Sequence, residues 1–177
     1  MKKLLILGMA VMSVSAAQAQ LLGATVFGNM MVGGNSTPNY FDPSNGFVPA
    51  GYLNTAGPSV TIANPAKEFG YDDGLNLDEA DFTANTLTLR DTSQGGSIPV
   101  KYQFTCNAFI GLTCTQISST FPSITMSLVG NQLTIDTPTL TGATTFTAVY
   151  QFTAVPEPAS IAALGLGLAF LIRRRRK

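Results

Sequence analysis

The chain has 177 residues, and its formal charge of zero hides an uneven distribution of charged side chains. The last five residues are all basic, whereas residues 20–155 contain three basic and nine acidic residues, a net charge of −6. An acidic segment repels phosphate backbones, so nucleic-acid binding is excluded. The chain contains no histidine, which excludes a Ser-His-Asp triad and a histidine-ligated zinc site.

The first nineteen residues have the composition of a secretory signal peptide. Two lysines precede an apolar run over residues 4–14, which is shorter than the roughly 20 residues that span a bilayer. Ala17 and Ala19 form the small-x-small pattern that signal peptidase recognises, so Gln20 is the predicted mature N-terminus. The alternative is an uncleaved membrane anchor. We therefore expect residues 1–19 to form a signal helix that directs export across the inner membrane.

Residues 20–154 are predicted to form one all-β domain. Apolar residues alternate with Thr, Ser, Lys and Gln over 100–105, 123–128 and 145–152, as half-buried strands require. The dipeptide Gly130-Asn131 separates two such strands and predicts a tight hairpin. Turn residues separate further short strands, which favours a single antiparallel β-sandwich or a jelly-roll-like domain.

The interval 28–57 is less regular, but it contains aromatic rings that a disordered linker would lack. We predict ordered loops with short edge strands there. The rings of this interval, with two that follow it, form either part of the core, which is favoured, or a sugar-stacking face. These residues are Tyr40, Phe41, Phe47, Tyr52, Phe69 and Tyr71.

The two cysteines, Cys106 and Cys114, lie eight positions apart in a chain predicted to leave the reducing cytosol. A disulfide closing a short loop is therefore the favoured interpretation. On the loop-entropy model it would stabilise the fold by roughly 2–3 kcal/mol. The alternative is a pair of buried free thiols.

The densest polar segment spans residues 71–81, where five carboxylates and an asparagine fall close together. Calcium takes six to eight oxygen ligands, but the spacing does not match an EF-hand loop. A solvated acidic loop is the favoured interpretation, and no metal or other cofactor is predicted. The calcium candidates under the alternative are Asp72, Asp73, Asn76, Asp78 and Asp81.

The sequence does not predict catalysis. A glycosidase needs two carboxylates about 5–10 Å apart, and nothing distinguishes a pair among Glu68, Asp72 and Glu79. The sequence also lacks a glycine-rich phosphate loop and a Gly-x-Ser-x-Gly elbow. We therefore expect a protein that is not an enzyme.

The last 23 residues, 155–177, form a second targeting segment. Residues 159–172 carry no charge and are predicted to form a transmembrane helix, which the basic tail 173–177 holds in the cytoplasm. These fourteen residues span about 21 Å as a helix, less than a hydrocarbon core of roughly 30 Å. Such a short helix is typical of a weakly held tail that a protease later removes. The alternative is a plain anchor that is never processed.

This C-terminal segment resembles the PEP-CTERM sorting signal, through its Pro-Glu-Pro motif, apolar stretch and terminal arginines. The resemblance implies recognition by exosortase, a membrane protease-transpeptidase. It also implies export by a Gram-negative bacterium that makes extracellular polysaccharide and a biofilm matrix. The residues that the resemblance assigns to recognition and to the cytoplasmic stop are Val155, Pro156, Glu157, Pro158, Arg173, Arg174, Arg175 and Arg176.

Residues 39–43, 45–49 and 68–74 carry a weaker likeness to other PEP-CTERM proteins, which have no activity to transfer. The function expected is a structural or adhesive protein of the cell surface or extracellular matrix, associated with exopolysaccharide or biofilm. Its expected partners are exosortase, the inner membrane before processing, and extracellular polysaccharide. The alternative is a carbohydrate- or calcium-binding surface module.

Overall fold

The structure is a computed structural model that describes residues 19–35 and 37–155. The predicted signal helix, apart from Ala19, and the predicted transmembrane helix lie outside these residues. Three short 3-10 helices in the described part of the chain cover Pro43–Asn45, Leu53–Ala56 and Asn107–Phe109. The strands are β1 (Thr25–Val32), β2 (Ser59–Thr61), β3 (Phe69–Asp72), β4 (Asn76–Phe82), β5 (Thr86–Ser93), β6 (Gly96–Ser97), β7 (Val100–Thr105), β8 (Leu112–Ser119), β9 (Thr125–Val129), β10 (Gln132–Asp136), β11 (Leu140–Thr141) and β12 (Thr144–Ala154).

Two five-stranded antiparallel sheets form the domain. The first sheet has the order β2-β1-β7-β10-β9, and the second sheet has the order β3-β4-β5-β12-β8. A two-stranded ribbon pairs β6 with β11. The predicted all-β, sandwich-like fold is confirmed for the described residues.

The predicted hairpin joins β9 to β10. Val129 pairs with Gln132, so Gly130 and Asn131 form a two-residue loop. Gly130 has a φ of 61°, a left-handed conformation that glycine adopts without the steric cost of a Cβ atom. The turn therefore fixes the register of this strand pair, as the sequence predicts.

Aromatic rings from both sheets fill the core. Phe104 of the first sheet is fully buried, and its ring centre lies 5.2 Å from that of Phe82 and 5.5 Å from that of Phe69, both in the second sheet. Such edge-to-face and tilted ring pairs add to the free energy gained from burying apolar area. The two sheets are thus joined by direct ring contacts.

The interval 28–57 contains the end of β1, which is not an edge strand, followed by ordered loops, so the prediction of short edge strands there is wrong. After β1 ends at Val32, the described residues up to 57 form no strand, and two 3-10 helices take that place. The favoured core interpretation of the six rings is confirmed for Phe41 and Phe69, which are fully buried and stack 5.0 Å apart, and for Tyr71, which is also buried in the core. Glycine, proline and asparagine supply turns and caps here, whereas a strand needs a longer alternating run.

The two lateral sides of the sandwich differ. On one side, the helix Leu53–Ala56 contacts both β2 and β3, the edge strands of the two sheets. The buried Asn54 side chain donates to the carbonyls of Phe41 and Gly70 and accepts from the Gly70 N–H. On the other side, β8 and β9 are the edge strands, and eight of their thirteen residues are exposed.

Candidate functional site

The C-terminal targeting segment begins where the last strand ends. β12 ends at Ala154, and the Val155 N–H donates to the Gly111 carbonyl at 3.0 Å. Val155 is half exposed. The remaining predicted recognition residues, Pro156 to Pro158 and the four terminal arginines, lie outside the described residues. The segment therefore follows the folded domain without a linker.

The predicted signal cleavage site lies at the other end of the described chain. Ala19 is buried and Gln20 is exposed. Leu21 is fully buried, and its N–H donates to the Ala84 carbonyl at 2.7 Å. Ala17 lies outside the described residues. The first described residues thus pack onto the domain next to the residue predicted as the mature N-terminus.

The predicted disulfide is wrong: Cys106 and Cys114 are free thiols in this structure. Cys106 follows β7 of the first sheet, whereas Cys114 lies in β8 of the second sheet, opposite Phe152. The residues between them carry the chain from one sheet to the other and do not close a hairpin. Burial raises the pKa of Cys114 to about 12 and also raises that of Cys106, so both thiols are protonated at neutral pH.

The predicted calcium candidates do not converge on one point. Asp73 accepts from the N–H groups of Leu75 and Asn76, and Asp72 accepts from that of Gly74, so both carboxylates serve the β3–β4 turn. Asp78 and Asp81 lie on opposite faces of β4, because side chains alternate along a strand. Among the described residues, no group of three or more His, Cys, Asp or Glu side chains is placed to hold a metal ion.

On the outer face of β4, Glu79 is the centre of an ion-pair cluster. Its carboxylate pairs with Lys67 and, at 3.1 Å, with Arg90, and it accepts from the Tyr52 hydroxyl. The Glu79 side chain is 5% exposed, whereas both cations are nearly half exposed. Burial alone would raise the pKa of Glu79, but the hydrogen bonds from Lys67 and Tyr52 and the two positive charges lower it.

On the inner face of the same strand, Asp78 has a carboxylate as its neighbour. It lies directly opposite Asp91 of β5, and the two residues are 2% and 0% exposed. Asp78 accepts from the Tyr102 hydroxyl of the first sheet, and Asp91 accepts from the Ser97 hydroxyl at 3.3 Å. Burial, followed by the Asp91 charge, holds the pKa of Asp78 well above its usual range, and burial also raises that of Asp91.

A pocket opens beside Asp78 between the two sheets, with a volume of about 240 Å³. Its polar lining includes Asp73, Asn76, Asp78 and Ser97, and none of the described residues that line it is basic. Since β3, β4 and β7 all contribute to its walls, the pocket exists only in the folded sandwich. Sequence reasoning missed Asp91, Ser97 and Tyr102, although Asp91 shares the face of the apolar Leu87 and Leu89 on β5.

The C-terminal segment is identified by comparison with protein families. Residues 154–177 match the family model of the PEP-CTERM protein-sorting motif. The chain carries a PEP-CTERM protein-sorting motif at its C-terminus. The PEP-CTERM motif implies that the protein is exported, anchored transiently in the membrane and processed by exosortase. No curated protein and no solved structure matches the chain.

Among the described residues, no helix has the length and apolar composition of a membrane span.

The acidic residues considered for glycoside hydrolysis have structural partners in the sandwich. Glu68 is fully buried and accepts from the N–H groups of Ala63 and Phe82. Glu79 belongs to the ion-pair cluster, and Asp72 belongs to the β3–β4 turn.

Proposed function

We propose that this PEP-CTERM protein is a structural or adhesive component of a polysaccharide-rich cell surface or extracellular matrix. The observation that carries the proposal is the distribution of charge over the folded domain. Residues 102–135 contain no charged side chain. They include β8 and β9, the edge strands on the side of the sandwich opposite the helix Leu53–Ala56. A surface without charge keeps its polar groups available for hydrogen bonds to sugars.

The uncharged side exposes hydroxyl and amide groups. Thr113, Thr115, Gln116 and Ser118 of β8 are exposed, and so are Thr125 and Ser127 of β9. Edge strands that avoid pairing with other chains commonly carry lysine, proline or a bulge. β8 has a bulge at the Val149–Tyr150 step of its partner strand but carries no charge. This side is therefore suited to contact with a neutral polymer or with another matrix component.

The short connection to the sorting segment favours a domain that lies at the membrane surface before processing. Only three residues, 156–158, separate Val155 from the predicted membrane helix at 159–172. Three extended residues cover at most about 11 Å. Exosortase would thus act while the domain is next to the bilayer, and cleavage would release it to the surface or matrix.

We propose no catalytic activity for the domain. Glu68, Asp72 and Glu79, the carboxylates considered for hydrolysis, stabilise a loop, a turn and an ion-pair cluster respectively. Each would have to lose a structural contact to act on a substrate. A structural role requires no such rearrangement.

Sorting is tested by the intact mass of the protein from its native host, with and without exosortase. We expect a species that begins at Gln20 and ends near Pro156 only when exosortase is present. An intact tail in both strains would show that the segment is only an anchor.

Adhesion is tested by sedimentation of the full chain with the host's extracellular polysaccharide. The variant Thr115→Lys/Gln116→Lys/Ser118→Lys adds three positive charges to exposed positions of β8. Its matched control, Thr25→Lys/Ser59→Lys/Thr61→Lys, adds the same charges to exposed positions of β1 and β2, on the side that the helix Leu53–Ala56 contacts. We expect the fraction of protein that sediments with the polysaccharide to fall by at least half in the β8 variant and to change little in the control. Equal sedimentation of both variants and the native chain would contradict the proposed binding side.

A further inference from the structure

The pocket beside Asp78 combines apolar walls with a polar end. Met30 and Val32 of β1, Ile98, and Val100 of β7 form its apolar part. Small-molecule sites generally have this composition, in which a few polar groups fix the orientation of an otherwise apolar ligand. Its volume of about 240 Å³ is below the roughly 300–1,000 Å³ of sites for larger ligands. The pocket therefore fits a small group.

The polar end carries negative charge, and the described part of the chain places no basic side chain in its lining. Asp78 lines the pocket, and Asp91 lies next to it across the β4–β5 pair. Asp91 is fully buried, and its Oδ1 atom has no hydrogen-bond partner among the described residues. A buried carboxylate without a cation or a full set of donors is costly in free energy. This end of the pocket therefore favours a ligand that brings positive charge and N–H donors.

Asn76 adds a second acceptor whose orientation is fixed. Its Nδ2 group donates to the Asp73 carboxylate at 3.1 Å, and a carboxylate accepts only from the amide nitrogen. The Oδ1 atom must therefore point away from Asp73, and it is buried with no partner among the described residues. Both unpartnered atoms next to Asp78 are thus acceptors, and both need a donor.

We propose that this pocket binds a protonated primary amine carried on a short aliphatic or sugar stem. The ammonium group lies at Asp78 and the Asn76 Oδ1 atom, with Asp91 adding a second negative charge behind Asp78. The stem lies along Met30, Val32 and Val100. An ammonium group has three N–H donors and no acceptor, which matches the acceptor atoms of Asp78 and Asn76 at this end of the pocket.

Other ligand classes match these groups less well. An anion would be repelled by Asp73, Asp78 and Asp91. Calcium takes six to eight oxygens, whereas the described residues place no group of three or more His, Cys, Asp or Glu side chains so that it could hold a metal ion, and much of the lining is apolar. A neutral ligand would leave the carboxylate charge uncompensated. The proposal does not depend on the proposed structural or adhesive function, because the pocket lies away from the edge strands β8 and β9.

The test is calorimetric titration of the full-length chain with n-butylamine and with glucosamine at pH 7. The neutral counterparts are n-butanol and N-acetylglucosamine, and calcium chloride is titrated separately at matched ionic strength. We expect at least one amine to bind with a dissociation constant of about 1–10 mM, as is typical of so small a ligand. Binding of only glucosamine would assign a sugar stem, and binding of only butylamine an aliphatic stem. Equal binding of the neutral counterparts, or binding of calcium alone, would overturn the proposal.

The location is tested with Asp78→Asn, which keeps the acceptor for Tyr102 and removes the charge. Asp136→Asn is the matched control, because Asp136 is partly exposed and pairs with Lys101 at the surface. We expect Asp78→Asn to weaken amine binding at least tenfold and Asp136→Asn to change it less than twofold. A similar loss in both variants would show non-specific attraction to a negative chain, and an unchanged affinity in Asp78→Asn would refute the site.

Discussion

Two neighbouring carboxylates of β4, Asp78 and Glu79, are both almost fully buried, but their surroundings are opposite. Glu79 faces outwards and contacts Lys67, Arg90 and Tyr52. Asp78 faces inwards and meets a second carboxylate, Asp91. Each accepts from a tyrosine hydroxyl, so hydrogen bonding does not distinguish them. Burial of a carboxylate therefore has no fixed effect on stability, because the charges around it decide the sign.

The largest effect is expected when the Glu79 charge is removed. Glu79→Gln leaves the two cations and Tyr52 without their anionic partner, and we expect the free energy of unfolding at pH 7 to fall by about 2 kcal/mol. The expected loss in the free energy of unfolding is smaller than for a fully buried ion pair, because Lys67 and Arg90 are nearly half exposed. Urea unfolding measures the change. Asp81→Asn, on the same outer face and partly exposed, is the control and should cost less than about 0.5 kcal/mol.

The pH dependence of the stability loss in Glu79→Gln tests whether the charge of Glu79 causes it. The pKa of Glu79 is lower in the folded state than in the unfolded chain, so its contribution is present above the unfolded value of about 4.3 and is lost as the pH falls through the folded value. The deficit of Glu79→Gln should therefore shrink in acid. A deficit that stays constant from pH 7 to pH 3 would show that packing, not charge, explains it.

Removal of the Asp78 charge should have the opposite sign. Asp78→Asn ends the repulsion with Asp91 and keeps an acceptor for Tyr102, and we expect a gain of about 1 kcal/mol at pH 7. The folded pKa of Asp78 lies above the unfolded value of about 3.9. The native domain therefore loses stability as the pH rises from the unfolded towards the folded pKa. The gain of Asp78→Asn should be near zero around pH 4 and increase with pH. A loss of stability at pH 7 would contradict the uncompensated pair.

The sequence predicts several of the strands, but it does not predict β4, β8 or the two carboxylate sites on β4. Alternation over 100–105 and the Gly130-Asn131 turn are local signals, and local signals specify strands and hairpins. The sequence predicts a solvated acidic loop around Asp78, and this prediction is wrong: Asp78 is buried in β4 and shares the face of the apolar Ala80 and Phe82. Its contact with Asp91 depends on the β4–β5 register, which the sequence alone does not fix.

The cysteines show the same limit. Their spacing is compatible with a short closed loop or with a crossover between sheets, and only the strand order distinguishes these cases. The C-terminal motif was predictable because a sorting signal is recognised as a linear segment. Residues that act through tertiary contacts, such as Tyr102 on Asp78, leave no such linear signal.

The smallest expected effect concerns how the Glu79 cluster divides its stabilisation between two cations. Lys67 and Arg90 are equally exposed, so each alone resembles a surface pair worth about 0.5–1 kcal/mol. We expect Lys67→Met and Arg90→Met each to cost that amount, and the double variant to cost more than the sum, because it leaves Glu79 buried without any cation. A double-mutant cycle from urea unfolding measures the coupling. Strict additivity would mean that Tyr52 and solvent already compensate the carboxylate, and the contrast between Glu79 and Asp78 would then lie in the repulsion by Asp91 alone.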